Sequence, residues 1–310
     1  MLNNTHPPLL IVGTGSMASL FAARLSAVGI PITMLGSWPA GLEALREYGV
    51  RIVEADSSER SLPVRVTDDP QTCVGSKYAL VLVKSWGTAR AARQLVECLA
   101  PDGLALTLQN GLGNREVLAM ALGDHRVALG VTTCGANLIE PGLVRSAGEG
   151  VISLASSIEI KPIADILKGA GFHVEYTSDP AGLIWGKLVV NAAINPLTAL
   201  LEIPNGALLE RPSARSIMAS IALETMAVAQ AYDIHLPYTD PVKVVEDVAH
   251  RTAANRSSML QDIERGTPTE IDAINGAIVR AGNEAGVPSP INRTMWQLVK
   301  AKEQGIGGKG

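Results

Sequence analysis

The chain has 310 residues, of which 47% are hydrophobic and only 4% aromatic, and its formal net charge is −4. This length supports two domains with aliphatic cores. The mild negative charge gives no basis for general binding to nucleic acid or to an anionic membrane.

In chain order, the start Met1-Leu2-Asn3-Asn4-Thr5-His6-Pro7-Pro8 lacks a basic segment followed by a long apolar stretch, so no signal peptide is expected. Leu9-Leu10-Ile11-Val12 is a continuous apolar run of the kind found in buried parallel strands. Gly13-Thr14-Gly15-Ser16-Met17-Ala18 follows at once, and Ser19 to Leu25 continues with helical spacing. This is G-x-G-x-x-A between a strand and a helix, the pattern of a dinucleotide site. Gly13 permits the tight turn, Gly15 lets a pyrophosphate approach the backbone, and Ala18 lets the helix pack close to the sheet. The helix N-terminus offers free N–H groups to the phosphates. The bland alternative is a glycine-rich turn that binds nothing.

Pro31 to Leu35 is the natural second strand, and Gly36-Ser37-Trp38 follows it. An NAD-specific site usually places a carboxylate there for the ribose hydroxyls. None is present, which favours NADP(H); no Arg occupies the turn either, so NAD(H) stays open, and Ser37 can bond either ribose. Further buried strands are expected at Tyr78–Val83, Leu104–Leu108 and Val127–Val131, leading to Lys84, to Asn110 and to Thr132–Ala136. Ligands of open parallel sheets bind beyond the carboxyl ends of the strands, where Lys84 and Asn110 stand. Each could also be an ordinary solvated or turn residue; the pair together favours a ligand role. Val144 to Leu154, with Gly148 and Gly150, reads as a hairpin-like pair closing the domain.

Strand signals fade at Ser178-Asp179-Pro180, a turn and helix start, giving domains of 1–178 and 179–310. Helices are expected over Leu183–Leu201, Ala214–Ala231, Pro241–Arg251 and Glu270–Ala285, with a frayed tail from Gln304. The first is apolar nearly all round except at Lys187, Asn191 and Asn195. Steps of four residues turn only about 40° past a full circle, so these three share one side of the helix. A helix so apolar is usually buried, and buried polar groups need partners; a ligand is the economical one. Asn205 stands in a turn, Asn255 to Asp262 is a polar stretch entering a short helix, and Thr269-Glu270 opens the last expected helix. Asn205 could simply be a left-handed turn residue, Ser257 or Ser258 a cap, and Glu270 a complement to a helix dipole. The apolar runs are broken by Lys, Asn, Gly or Pro before the about 20 residues that span a bilayer. Cys73, Cys98, Cys134 and the five His are scattered, which implies reduced thiols, a cytoplasmic protein and no metal site.

Four blocks carry a resemblance over nearly the whole chain: Lys187-Leu188-Val189-Val190-Asn191-Ala192-Ala193-Ile194-Asn195-Pro196-Leu197-Thr198-Ala199, Pro204-Asn205-Gly206, Ser257-Ser258-Met259-Leu260-Gln261-Asp262 and Thr269-Glu270-Ile271-Asp272. In order and spacing they resemble the ketopantoate reductase family. The resemblance implies an α/β Rossmann-type N-terminal domain and an all-α C-terminal domain like that of 6-phosphogluconate dehydrogenase. The implied reaction is reduction of 2-dehydropantoate to (R)-pantoate with NADPH, at a site between the two domains, in pantothenate and coenzyme A synthesis. By position it implies Lys187 as proton donor, with Glu270 beside it and beside the nicotinamide. Asn110, Asn191, Asn195, Asn205, Asn255 and Ser258 are then implied as substrate-binding residues. Gly13, Thr14, Gly15, Ser16, Met17, Ala18, Ser37, Lys84, Asn110, Ala136 and Glu270 are implied at the cofactor. Two departures stand out. Many members carry Arg after the second strand, and some carry Gln where this chain has Gly87.

Negative charge would build on the keto oxygen as hydride attacks. A lysine, with an ordinary pKa of about 10.4, is protonated and suits that charge. Burial would ease its proton transfer, and Glu270 would oppose that shift and orient the ammonium. The competing readings are another β-hydroxyacid-type dehydrogenase and a non-catalytic NADP-binding sensor. A small-molecule substrate is the expected partner, and a monomer or homodimer the expected state.

Overall fold

The computed structural model describes residues 8–54 and 56–307, so the readings of Met1–Pro7 and of the last three residues lie outside the described residues. Two compact units emerge. The first runs to Gln109 and from Asn114 to Pro180; the second runs from Ala181 onward and also takes in Asn110–Gly113.

In the first unit, β1 (Leu9–Val12), α1 (Ser16–Ala27), β2 (Ile32–Leu35), α2 (Pro39–Tyr48), β3 (Val50–Val53), β4 (Glu59–Leu62), β5 (Arg65–Thr67) and β6 (Ser76–Val81) come first. Then follow α3 (Thr88–Cys98), β7 (Leu99–Thr107), α4 (Asn114–Leu122), β8 (Val127–Thr132), β9 (Ala136–Glu140), β10 (Leu143–Ser146), β11 (Val151–Ala155), α5 (Lys161–Gly169) and β12 (His173–Thr177). Eight strands form one sheet in the order β12-β11-β8-β7-β6-β1-β2-β5, parallel except for the antiparallel pairing of β11 with β8. All four residues of β1 are buried, which explains its unbroken apolar run: helices cover both faces of such a sheet. In register, Val12 stands beside both Leu35 and Val81, so three strands end level where the glycine turn begins.

A second, four-stranded sheet, β4-β3-β10-β9, was not expected from the sequence. It corrects the hairpin reading of Val144–Leu154. β10 pairs with β3 and β9, whereas β11 pairs with β8 and β12 in the large sheet. Two glycines carry the chain from one sheet to the other. Gly148 has φ +123°, and a Cβ on Gly150 would lie 2.3 Å from the Cys134 nitrogen, so neither position accepts a side chain without strain.

The second unit is helical: α6 (Pro180–Leu201), α7 (Pro212–Ala231), α8 (Pro241–Arg251), α9 (Ser258–Glu264), α10 (Asn275–Ala285) and α11 (Pro290–Gly307). Val189, Ala192 and Ala193 of α6 are fully buried among Ile221, Ile271, Ile278 and Val299. At 22 residues α6 runs straight through its polar positions, so by length and composition it could cross a membrane, contrary to the sequence expectation. Two-thirds of its most apolar window is buried inside the protein, which makes it a core helix. The last expected helix starts at Asn275, not Glu270, because residues 270–274 form a turn closed by Ala273 and Ile274 N–H groups on the Glu270 carbonyl. α11 had no counterpart in the sequence reading, and it continues to Gly307 past the expected fraying point.

Candidate active site

The glycine turn is made by backbone. Gly13 has φ +134°, its N–H bonds the Leu35 carbonyl at 2.8 Å, and a Cβ there would stand 3.0 Å from the Leu82 carbonyl oxygen. Gly15 occupies the N-cap of α1, where no side chain caps the helix and no acid sits in the first turn. The first N–H groups of α1 therefore lack a side-chain acceptor at the cap, and a Cβ on Gly15 would meet nothing within 4 Å. Open space over free helix N–H groups is what a pyrophosphate requires, so the residues present fit a dinucleotide. Ser16 and Met17 are half-buried and Ala18 is fully buried against the sheet. Thr14 is buried and fills the space over Gly36, whose Cβ would lie 2.5 Å from Thr14 Cγ2.

Beyond β2, Ser37 is exposed on a cavity of about 640 Å³ that Glu43, Arg46, Glu47 and Asp68 also line. Arg46 Nη2 donates to Asp68 Oδ1 at 2.9 Å. The sequence reading missed these four charges because they come from α2 and from beyond β5, not from the turn itself. The cavity thus holds one cation, already paired, and three carboxylates.

At the end of β6, Lys84 is half-buried, and the Gly87 N–H closes a short turn on its carbonyl at 2.8 Å. Beneath it, Gln109 Nε2 lies 2.9 Å from the Val83 carbonyl and 2.7 Å from Thr88 Oγ1, and Thr88 donates to Asn114 Oδ1 at 2.8 Å. This buried polar network fixes two adjacent strand ends. Sequence reasoning missed it, although a polar Gln-Asn pair after an apolar strand was the available signal. Ala136 is half-buried at the head of β9.

In the helical unit, Asn110 and Glu270, 160 positions apart in sequence, meet: Asn110 Nδ2 donates to Glu270 Oε2 at 3.2 Å. Glu270 is only 5% exposed. Its turn is clamped from α11. The Thr269 N–H donates to Glu303 Oε1 at 2.7 Å, while Asp272 accepts from Trp296 Nε1 at 2.7 Å and from Lys300 Nζ at 3.1 Å. Thr269 accepts from the Ile271 N–H within this turn and does not cap α10. The helix-dipole reading of Glu270 therefore fails, since no helix begins there.

Lys187 and Asn191 are half-buried and Asn195 is buried on α6. Among the described residues, the side chains of Asn191 and Asn195 make no hydrogen bond. One turn above Asn191, the backbone is pinned where Tyr238 Oη donates to the Gly186 carbonyl at 2.8 Å. Gly186 is required there, because a Cβ would lie 2.9 Å from the Pro237 ring.

Asn205 adopts no left-handed conformation; among the non-glycine residues near it, that geometry falls on Glu202. Asn205 Nδ2 donates to Thr252 Oγ1 at 2.9 Å, its N–H bonds the Asn255 carbonyl at 3.0 Å, and its buried Oδ1 has no partner. Thr252 was also missed. Ser257 is the cap of α9: its Oγ accepts from the Leu260 N–H and stands 2.7 Å from Thr198 Oγ1 of α6. Asn255 and Ser258 are exposed.

A mainly parallel sheet with a glycine-rich strand-to-helix turn, followed by a helical unit whose first helix carries Lys187, is the plan of a dinucleotide-binding reductase. Two family models match: "Ketopantoate reductase PanE/ApbA" over residues 9–157 and "Ketopantoate reductase PanE/ApbA C terminal" over residues 180–303. The chain is 38% identical to the 2-dehydropantoate 2-reductase of Archaeoglobus fulgidus, over 96% of this chain and 98% of that protein. It is 35% identical to that of Halobacterium salinarum, over 96% and 99%. Among solved structures, the PanE/ApbA family ketopantoate reductase from Ralstonia eutropha JMP134 aligns with TM-score 0.90 at 30% identity, covering 97% of this chain and 99% of that one. D-mandelate dehydrogenase, in a ternary structure with NADH and anilino(oxo)acetate, aligns with TM-score 0.90 at 25% identity over the same shares. The chain belongs to the ketopantoate reductase family.

Proposed function

We propose that this chain reduces 2-dehydropantoate to (R)-pantoate, with NADPH as the hydride donor and Lys187 as the proton donor. The observation that carries this reading is the stripe on α6. Two amides without hydrogen-bond partners among the described residues share a helix side with one lysine, in a chain of this family. The turn from Gly13 to Ala18 holds the pyrophosphate on backbone N–H groups, with Ser37, Lys84 and Ala136 as further contacts. When bound, the nicotinamide supplies hydride to the keto carbon. The Lys187 ammonium stabilises the negative charge that builds on the keto oxygen and gives it a proton, which water then restores to the amine. Glu270, held by Asn110, orients the ammonium. Asn191, Asn195, Asn205, Asn255 and Ser258 bind the carboxylate and hydroxyl of a compact hydroxylated acid without an arginine clamp.

NADPH is favoured because no carboxylate occupies Gly36-Ser37-Trp38 and because Arg46 can leave Asp68 for a 2′-phosphate. A second reading draws on the three carboxylates in the same cavity and on the likeness to an NADH-bound D-mandelate dehydrogenase. It makes the chain a sibling reductase of another small 2-keto acid, using NADH. Initial rates of NADPH and NADH oxidation, with 2-dehydropantoate set against phenyl-substituted and short aliphatic 2-keto acids, separate the two. The first reading requires the highest kcat/KM for NADPH with 2-dehydropantoate. No turnover of that acid with either cofactor would overturn it.

A further inference from the structure

α6 contains a proline between its own polar positions. Pro196 has no N–H, so the Ala192 carbonyl, four residues earlier, has no donor in the helical ladder, and the proline ring crowds that same oxygen. Ala192 is fully buried, so water cannot readily make good the loss. A buried carbonyl without a donor is costly.

The missing donor comes from another helix. Asn275, the first residue of α10 and fully buried, donates from Nδ2 to the Ala192 carbonyl at 3.2 Å. The same amide nitrogen donates to Asn292 Oδ1 at 3.0 Å, and Asn292, also fully buried, donates from Nδ2 to Glu224 Oε2 at 2.9 Å. Glu224 is in turn fixed by two backbone N–H groups at the start of α11, those of Ile291 and Asn292, each at 2.9 Å. The chain of bonds thus runs from the N-terminus of α11, through Glu224 of α7, Asn292 and Asn275, to one carbonyl of α6. Both N–H bonds of the Asn275 amide are committed, while its Oδ1, buried, has no partner. The residue keeps an unsatisfied acceptor in the core in order to present its donor at Ala192, which a simple packing role does not explain.

Ala192 lies between Asn191 and Asn195. Lys187 and Asn191 precede the break in the ladder and Asn195 follows it, so the backbone at 192–196 sets the heading of Asn195 relative to the other two. We propose that Asn275 is a positioning residue for this stripe: its side-chain amide replaces the N–H that Pro196 removes and holds the two halves of α6 in register. The proposal rests on the reading of the stripe as the keto-acid site, and the test separates the two.

The test is a double-mutant cycle of Asn275→Ala and Pro196→Ala in the full chain, read by kinetics, cofactor titration and amide hydrogen exchange. Pro196→Ala restores a backbone donor to Ala192. In the native background, Asn275→Ala is expected to lower kcat/KM for the keto acid and to speed exchange of the α6 amides after Ala192, each by about tenfold, as for a buried carbonyl that loses its donor. NADPH affinity should stay within about twofold. In the Pro196→Ala background, the same substitution should cost less than about twofold on both readouts, because the sites couple through one shared carbonyl. Equal penalties in the two backgrounds would overturn the proposal. So would coupling in exchange with no change in keto-acid kinetics, which would leave Asn275 a purely structural residue, or a loss confined to NADPH binding. If Asn275→Ala does not fold, Asn275→Ser is carried through the same cycle with the same expected coupling. If the native chain turns over some other 2-keto acid and not 2-dehydropantoate, the functional reading fails alone; the kinetic arm then uses the acid that is reduced. If it turns over none, exchange decides the carbonyl claim and the positioning role falls with the activity.

Discussion

The glycine turn of the first unit and the polar stripe of the second are built by opposite means. In the turn, the proposed binding groups are backbone N–H groups, and the side chains contribute by being absent: at Gly13 the Leu82 carbonyl stands where a Cβ would go, and at Gly15 the space is open. In the stripe, the proposed binding groups are side chains, and the helix that carries them is bonded by residues far away in sequence, Tyr238 at the Gly186 carbonyl and Asn275 at the Ala192 carbonyl. A backbone site is specified within a dozen residues. A side-chain site on a buried helix needs the rest of its domain to hold it.

This contrast can be broken at several points. The largest effect is expected for Lys187→Ala, which should lower kcat by about 100- to 10,000-fold, the range for a lost general acid, while a fluorescence titration finds NADPH binding unchanged. Near-native turnover would remove Lys187 from the chemistry.

The two glycines of the turn should separate stability from binding. Gly15→Ala should weaken cofactor binding by about tenfold or more, since a methyl group would occupy the pyrophosphate position, and leave the urea midpoint where it was. Gly13→Ala should instead lose about 1–3 kcal/mol of stability, because φ +134° is closed to alanine. If both variants lose binding and neither loses stability, the steric argument at Leu82 is wrong.

A smaller effect is expected for Arg46→Ala. It should lower kcat/KM for NADPH by about tenfold, the cost of a charge-assisted bond to phosphate, and leave NADH within about twofold. An unchanged NADPH/NADH ratio would free Arg46 of any role at the 2′-phosphate. Smallest of all, Tyr238→Phe should cost about 1 kcal/mol of stability by removing the bond to the Gly186 carbonyl, seen as a melting shift of a few degrees, about 2–4 °C. No shift would mean that the turn below Lys187 is held by packing alone.

The same contrast governs what the sequence disclosed. The turn was legible because strand, G-x-G-x-x-A and helix are contiguous. The stripe was legible because a period of four along an apolar helix is a local pattern. Glu270 could be named from its motif, but its setting could not. The turn that carries it looks helical in sequence and is held by Glu303, Trp296 and Lys300, which reach it from a helix about thirty residues further along the chain. Arg46 and Asp68 escaped notice for the same reason, since they reach the Ser37 cavity from separate elements. The four-stranded sheet was missed because its strands are short, the outer two, β4 and β9, bury little, and β3 and β10 pair across about ninety residues of chain.

Residues 110–113 belong to the helical unit although the chain around them builds the sheet unit. Besides the bond from Asn110 to Glu270, the Leu112 N–H bonds the Ala273 carbonyl at 2.9 Å, and Gly111, at φ +82°, sits where a Cβ would press on that same carbonyl oxygen. The helical half is therefore not an excisable module. A fragment expressed from Ala181 onward would carry Glu270 and Ala273 without the four-residue strip that answers them, and a synthetic peptide spanning 108–114 is the piece it would need back.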